Sequence, residues 1–358
     1  MKKNIVIIII IILVLTLISI FIFDILGFLK NYKKASYRKE KNDFFIKIKV
    51  GLITGFGGLG DKSFNDMQYN GLVLAKKLYG IDFEYFAPKN FEDIMKYTQI
   101  LIDNGSNLII IGEGFTGQKV LDQFAPKYPQ IKFVVLDNLC KNLYHNSASI
   151  LFKQNEASFL AGVLAAEMTK KDRVGFIGGA PIPVIEDFFI GFNQGINYIK
   201  SDCKVEKDFI SNYVKDFEKV WDAPKISYEI AKAMIREKGV DIIFAVASAS
   251  NIGIFNACKD YSIFSIGVDT DQDYINPGII LTSVLKNLDQ AIVFIVDKVI
   301  KNNFESKSYY LGLKENGVGL SPMIFTKDIV GDDIIKKINL LQKKIIDGQI
   351  LVKSVFGK

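Results

Sequence analysis

From residue 47 onward, short runs that are apolar at every position alternate with stretches whose apolar residues recur every three to four positions, and few architectures accept that alternation. The runs 50–54, 107–111 and 132–136 are separated by amphipathic stretches at 64–78, 91–103 and 117–128. A strand that is apolar along its whole length must be covered on both faces. Helices between successive strands supply that cover, so the pattern predicts parallel, doubly wound α/β sheets. A second series follows, with strands at 148–152, 174–177, 205–210, 241–246 and 263–268 and helices at 156–169, 185–199, 224–238 and 252–260. The chain closes with a strand at 279–285, a helix at 290–301, a Gly-rich connection at 312–321 and a helix at 332–347. Two such series predict two similar lobes joined by a hinge: 47–150 with 272–305, and 151–271 with 306–358. Ligand is expected at the carboxyl ends of the strands, where the loops converge.

Residues 1–46 have a different character. Lys2 and Lys3 precede an apolar run, 5–23, relieved only by Thr16 and Ser19. The run can cross a hydrocarbon layer of about 30 Å and exceeds the roughly 7–15 residues of a secretory signal's apolar segment. Between an uncleaved anchor and a signal helix, the anchor is the better reading, with 30–46 as a charged linker. Lys30, Lys33, Lys34, Arg38, Lys39 and Lys41 flank the run and, by the positive-inside tendency, favour a cytoplasmic location for that side. No cysteine precedes Cys140, so no lipid-bearing cysteine follows the apolar run. Cys140, Cys203 and Cys258 form no CxxC pair and read as small buried hydrophobes. The single histidine, His145, sits in a polar loop without partners for metal or catalysis. The net charge of +6 is interspersed with acids through the body of the chain, which excludes the clustered basic face that nucleic acid needs.

Several motifs fall at strand ends. Gly55, Gly57 and Gly60 match G-x-G-x-x-G after the first strand, with Asp82 or Glu84 about twenty residues on, as in a dinucleotide fingerprint. Asp61, Lys62 and Ser63 intervene before helical spacing begins, however, so the glycines read as a wall that lets backbone approach a ligand. In the stretch 61–66 (DKSFND), Ser63 and Asp66 resemble a capping box. Phe64 and Asn65 then lie in the first helical turn, where an aromatic plane and an amide can face a ligand. Asp137 and Asp269 each follow an apolar strand and suit acceptance of hydrogen bonds from hydroxyls, or act as turn formers. Trp221, the single tryptophan, has polar neighbours and reads as an exposed ring able to close over a ligand. Lys286 ends the strand at 279–285, placed to bond a hydroxyl, to pair with Asp269 or simply to face solvent. No P-loop, HExxH, nucleophile elbow or paired catalytic carboxylate appears, so neither catalysis nor a cofactor is expected.

These motifs resemble those of the basic membrane protein family, the purine nucleoside receptor type of substrate-binding lipoprotein. The resemblance covers roughly residues 48 to 300. It rests on 61–65 (DKSFN), 149–153 (SILFK), 158–162 (SFLAG), 171–179 (KDRVGFIGG), 183–185 (PVI), 267–274 (GVDTDQDY) and 281–286 (LTSVLK). It implies a type I periplasmic-binding fold. The implied function is capture of a purine nucleoside for an ABC transporter permease, on the periplasmic side of the inner membrane, with the N-terminal segment as anchor. It further implies that Phe64 and Trp221 sandwich the base, that Asn65 and Asp137 address it, and that Asp269 and Lys286 hold the ribose; Asp61 belongs to the same motif. Three departures stand out: Gly60 replaces an acid before DKSFN, Trp221 replaces a Phe, and Ser248-Ala-Ser250 replaces a Gly pair. A surface adhesin with a vestigial pocket and an NAD-dependent oxidoreductase using Gly55 to Gly60 are the competing readings.

Overall fold

The computed structural model describes residues 48–357; the anchor and linker expected at 1–46 lie outside them. Among the described residues no helix is long and apolar enough to cross a membrane.

The first sheet is built from β1 (Lys49–Ile53), β2 (Asp82–Phe86), β3 (Leu108–Ile111), β4 (Lys132–Leu136), β5 (Ser147–Phe152) and β11 (Ser308–Leu311), ordered β11-β5-β4-β3-β1-β2. The second holds β6 (Arg173–Gly178), β7 (Lys204–Phe209), β8 (Ile242–Val246), β9 (Phe264–Asp269), β10 (Ile280–Lys286) and β12 (Val318–Leu320), ordered β12-β10-β9-β8-β6-β7. The two orders superimpose strand for strand, and all pairings are parallel except β10 with β12. These are the two parallel-sheet α/β lobes that the alternation predicts.

The helices are α1 (Phe64–Tyr79), α2 (Phe91–Asp103), α3 (Gly117–Phe124), α4 (Gln154–Met168), α5 (Pro183–Ile199), α6 (Pro224–Lys238), α7 (Asn251–Asp260), α8 (Leu288–Ile300), α9 (Lys327–Val330) and α10 (Asp332–Ile346). Alternate strand residues face opposite layers. Leu52, Ile110 and Val134 join a core continuous with α1, α4, α5 and α8, whereas Ile53, Ile109, Phe133 and Val135 pack with residues of α2 and α3. Each such buried Leu, Ile or Phe contributes about 1.5–3 kcal/mol, which explains why the strands are apolar throughout. The strand β2 does not show in the apolar pattern, because at the sheet edge its residues are half exposed and its sequence DFEYF is mixed. The cysteines Cys140, Cys203 and Cys258 are buried and free, and His145 is exposed in a turn.

The chain crosses between lobes three times, after β5, after β10 and between β11 and β12. The assignment of 272–305 to the first lobe and 306–358 to the second therefore differs from the strand pairing. β10 lies in the second sheet and β11 in the first, while α8 packs on α1, where Gly71 admits Asp289 and Ile292. The three crossings are tied together: Lys153 N donates to Leu311 O (3.0 Å), Asn287 N donates to Gly317 O (2.9 Å), and Asn287 Nδ2 donates to Asn316 O (2.7 Å). A crossover flips lobe membership without any change in composition, which is why the periodicity missed it.

Candidate functional site

A cavity of about 220 Å³ lies between the carboxyl ends of the two sheets. Six of the seven expected residues line it: Phe64, Asn65, Asp137, Trp221, Asp269 and Lys286. The seventh, Asp61, does not. Its carboxylate accepts from the backbone N–H groups of Ser63 (2.9 Å), Asn65 (2.9 Å) and Asp66 (3.2 Å), so it caps α1. Burial raises its pKa, and these hydrogen bonds oppose the rise.

The expected capping box is replaced by this arrangement. The Ser63 hydroxyl turns across the cleft and donates to Asp269 Oδ2 at 2.5 Å, while the Asp66 carboxylate accepts from Gly60 N and Lys62 N. Gly57, Gly58 and Gly60 have φ of 91°, 69° and 97°. Gly60 thus belongs to the loop before α1 and not to the helix, unlike the third glycine of a dinucleotide fingerprint. A Cβ on Gly55 would meet Asn65 Oδ1 at 3.0 Å and the Phe64 ring at 3.3 Å, so a side chain there would crowd both residues.

Asn65 is buried and donates through Nδ2 to Phe56 O (3.0 Å), which leaves Oδ1 without a protein partner at the cavity. Asp137 and Asp269 occupy equivalent places, just past β4 and at the end of β9, and both take the left-handed backbone with φ of 62° and 66°. Short acidic residues tolerate that conformation, and it turns each chain sharply at the rim. Lys286, only 1 % exposed, ends β10 and pairs with Asp137 of the other lobe, not with Asp269 as the sequence allowed. Its ammonium also stands 5.6 Å from the Phe64 ring centre, 5.2 Å from Phe152 and 5.5 Å from Phe188. Burial pushes the Asp269 carboxyl up to about 6, with the Lys286 charge pulling the other way.

Trp221 comes from a 3-10 segment, Phe217–Asp222. It is half-buried and not fully exposed as its neighbours suggested, because the indole lies against Gly179, where a Cβ would come within 2.4 Å of the ring. Phe217 of the same segment crosses to the first lobe, with ring centres 6.4 Å from Phe56, 6.1 Å from Phe91 and 5.1 Å from Phe115. Further bonds span the cleft. The Ser248 hydroxyl donates to Asp61 Oδ2 (2.8 Å), and Gln272 Nε2 donates to Lys62 O (3.0 Å). Ser248 has φ of 53° and lines the cavity.

Glu113 escaped the sequence reading although it follows an apolar strand as Asp137 and Asp269 do. The signal existed, an acid two residues past the apolar strand β3. It is buried, lines the cavity, and accepts from Phe115 N (3.1 Å), Thr116 N (3.2 Å) and Thr116 Oγ1 (3.2 Å) ahead of α3. Burial pushes its carboxyl from an ordinary 4.5 up to about 7. The folded protein therefore holds a proton that the unfolded chain releases, and this contribution to stability is present below pH 4.5 and lost as pH rises through about 7. The effect is on the order of 3 kcal/mol. Glu113→Gln removes the titration, so paired melts at pH 4.5 and pH 7.5 should show the variant gaining on the parent at the higher pH. A gap that stays constant with pH would contradict this.

A cleft with a free acceptor, two aromatic planes and rim carboxylates, crossed by direct bonds between lobes, is suited to enclosing a small polar molecule. Comparison with known proteins agrees with that description. Residues 47–355 match the model of the Bmp family, described as ABC transporter substrate-binding protein PnrA-like. Basic membrane protein B of Borreliella burgdorferi is 30% identical over 359 residues, covering 94% of each chain. An uncharacterized lipoprotein of Pyrococcus furiosus is 31% identical over 282 residues, 76% of this chain and 70% of its own length. Among solved structures, an ABC transporter system solute-binding protein from Aeropyrum pernix K1 matches with a TM-score of 0.75 and 27% identity, covering 86% of this chain and 94% of that one. The chain belongs to the Bmp family of PnrA-like ABC transporter substrate-binding proteins.

Proposed function

We propose that this protein captures a purine nucleoside between its lobes and delivers it to an ABC transporter permease, performing no covalent chemistry. The observation that carries the reading is that Phe64 and Trp221, from different lobes, line one cavity together with Asp137 and Asp269. Stacking of a base on such rings is worth on the order of 1–3 kcal/mol per base. The unpartnered Asn65 Oδ1 can accept from a base N–H, and each rim carboxylate can accept from ribose hydroxyls for about 1.5–3 kcal/mol per bond. At about 220 Å³ the cavity is smaller than the roughly 300–1,000 Å³ of sites for drug-sized ligands. That size favours one nucleoside over a dinucleotide and weighs against the oxidoreductase reading.

The direct bonds between lobes describe a closed arrangement, and opening would break them as the hinge moves. A permease can distinguish loaded from empty protein by that difference alone. The names of the relatives, lipoprotein and basic membrane protein, support attachment to the cell membrane with the binding body outside the cytoplasm.

Calorimetry with the full chain in detergent should detect binding of inosine, guanosine or adenosine. Asp269→Asn keeps a residue that tolerates the left-handed backbone but removes the charge, and it should weaken binding about tenfold or more. Absence of binding by any purine nucleoside, or an unchanged affinity in the variant, would rule out this assignment.

A further inference from the structure

Beyond α10 the chain has no regular secondary structure over 349–354, and such a tail ordinarily frays. Here each residue of 351–355 is tethered to the helices α4 and α5. Gln194 Nε2 donates to Leu351 O (3.0 Å) and Lys353 N donates to Gln194 Oε1 (2.8 Å). Asn155 Nδ2 donates to Val352 O and to Lys353 O, both at 3.1 Å. The Ser354 hydroxyl (2.7 Å) and Val355 N (2.9 Å) donate to Asp187 Oδ1, whose other oxygen accepts from Gln154 Nε2 (2.9 Å). Asp187 is fully buried, and a buried carboxylate is costly unless its oxygens are bonded. The tail supplies the two bonds to Oδ1.

What the tethers deliver is Phe356, which is half-buried and lines the ligand cavity. It shares that cavity with Ile182, Pro183, Ile185 and Phe188 at the start of α5, the helix that also carries Asp187. Ordering a backbone residue costs about 1–2 kcal/mol, so a tail held at this many points over several residues is a built element and not an incidental contact. Residue 356 lies just past 355, where the match to the family model ends.

We infer that segment 351–357 is a strap that seats Phe356 as an apolar wall of the ligand cleft, making Phe356 a ligand-retaining residue. Phe356 then sets the size and escape rate of the bound molecule, while the aromatic and acidic residues of the two lobes recognise it. The inference rests on the cleft being the ligand site, and not on the ligand being a nucleoside.

Two readouts separate these claims. The chain has one tryptophan, and Trp221 lines the same cavity, so its fluorescence reports on the cleft without any ligand. Phe356→Ala in the full-length protein, and a chain stopped after Ile350, should each raise acrylamide quenching of Trp221 about twofold, with Phe356→Leu close to the parent. With inosine as probe, Phe356→Ala should speed dissociation about tenfold and leave association nearly unchanged, a split that general loosening of the fold would not produce. Unchanged quenching in both Phe356→Ala and the shortened chain overturns the strap, whether or not inosine binds. Failure of the parent protein to bind inosine, with quenching raised as expected, instead counts against the nucleoside assignment and leaves the wall standing.

Discussion

Lys286→Ala is expected to destabilise the protein by about 3 kcal/mol, the cost of leaving a largely buried carboxylate without its cation. The ammonium is only 1 % exposed, joins Asp137 across the cleft and is surrounded by the rings of Phe64, Phe152 and Phe188. Removing it strands Asp137, with the buried Asp269 carboxylate also facing the cavity and now deprived of the same charge. The replacement of an ion pair by apolar groups of similar volume is often neutral, because the charges no longer need solvation. Lys286→Met with Asp137→Asn, which keeps a residue that tolerates the left-handed backbone and leaves no charge unpaired, should therefore recover part of the loss. Urea unfolding of the single and double variants measures both terms. A single variant within 1 kcal/mol of the parent would mean that the pair contributes little to the fold.

Gly191→Ala combined with Gly195→Ala should cost about 4 kcal/mol, because α4 and α5 touch backbone to backbone. A Cβ on Gly195 would sit 2.0 Å from Phe159 O, one on Gly191 would sit 2.1 Å from Asn155 O, and one on Gly162 would sit 2.1 Å from Phe192 O. Carbonyls cannot swing aside as a side-chain end can, so the helices must separate. Overpacking costs about 1–3 kcal/mol per site, and here the upper end applies. The gain in helix propensity from replacing glycine by alanine is at most about 1 kcal/mol per site, so the clash wins. Since α4 and α5 carry Asn155 and Asp187, separation should also loosen the strap and weaken ligand binding. Gly319→Ala, where an added Cβ meets nothing within 4 Å, is the control and should be close to neutral in the same thermal melts. Equal stability of the double variant and the control would show that the helices can part without penalty.

The candidate site was partly legible because chemistry at a strand's carboxyl end follows from the strand itself. Asp137 and Asp269 could be found by locating an apolar run and reading the next polar residue, and Phe64 and Asn65 by reading the first turn of the following helix. The same rule reaches Glu113, two residues past β3. Asp61's capping is local as well: it stands three residues before Phe64, and its carboxylate accepts from N–H groups two, four and five residues on. The pairing of Lys286 with Asp137 spans 149 residues and two lobes, and the pull on Phe217 comes from rings more than a hundred residues away.

By itself, the sequence determined the two doubly wound lobes, since strands apolar on both faces are stable only under helices, and burial of those faces is the dominant favourable term. Tertiary structure alone decided how the lobes share the chain, which carboxylate meets the buried lysine, and that Phe356 reaches the cleft. Those outcomes depend on three crossovers and on contacts between distant segments. The free energy of a buried charge or a tethered strap is set by whichever partner the fold brings near, and the residues that flank it in the chain carry no record of that partner.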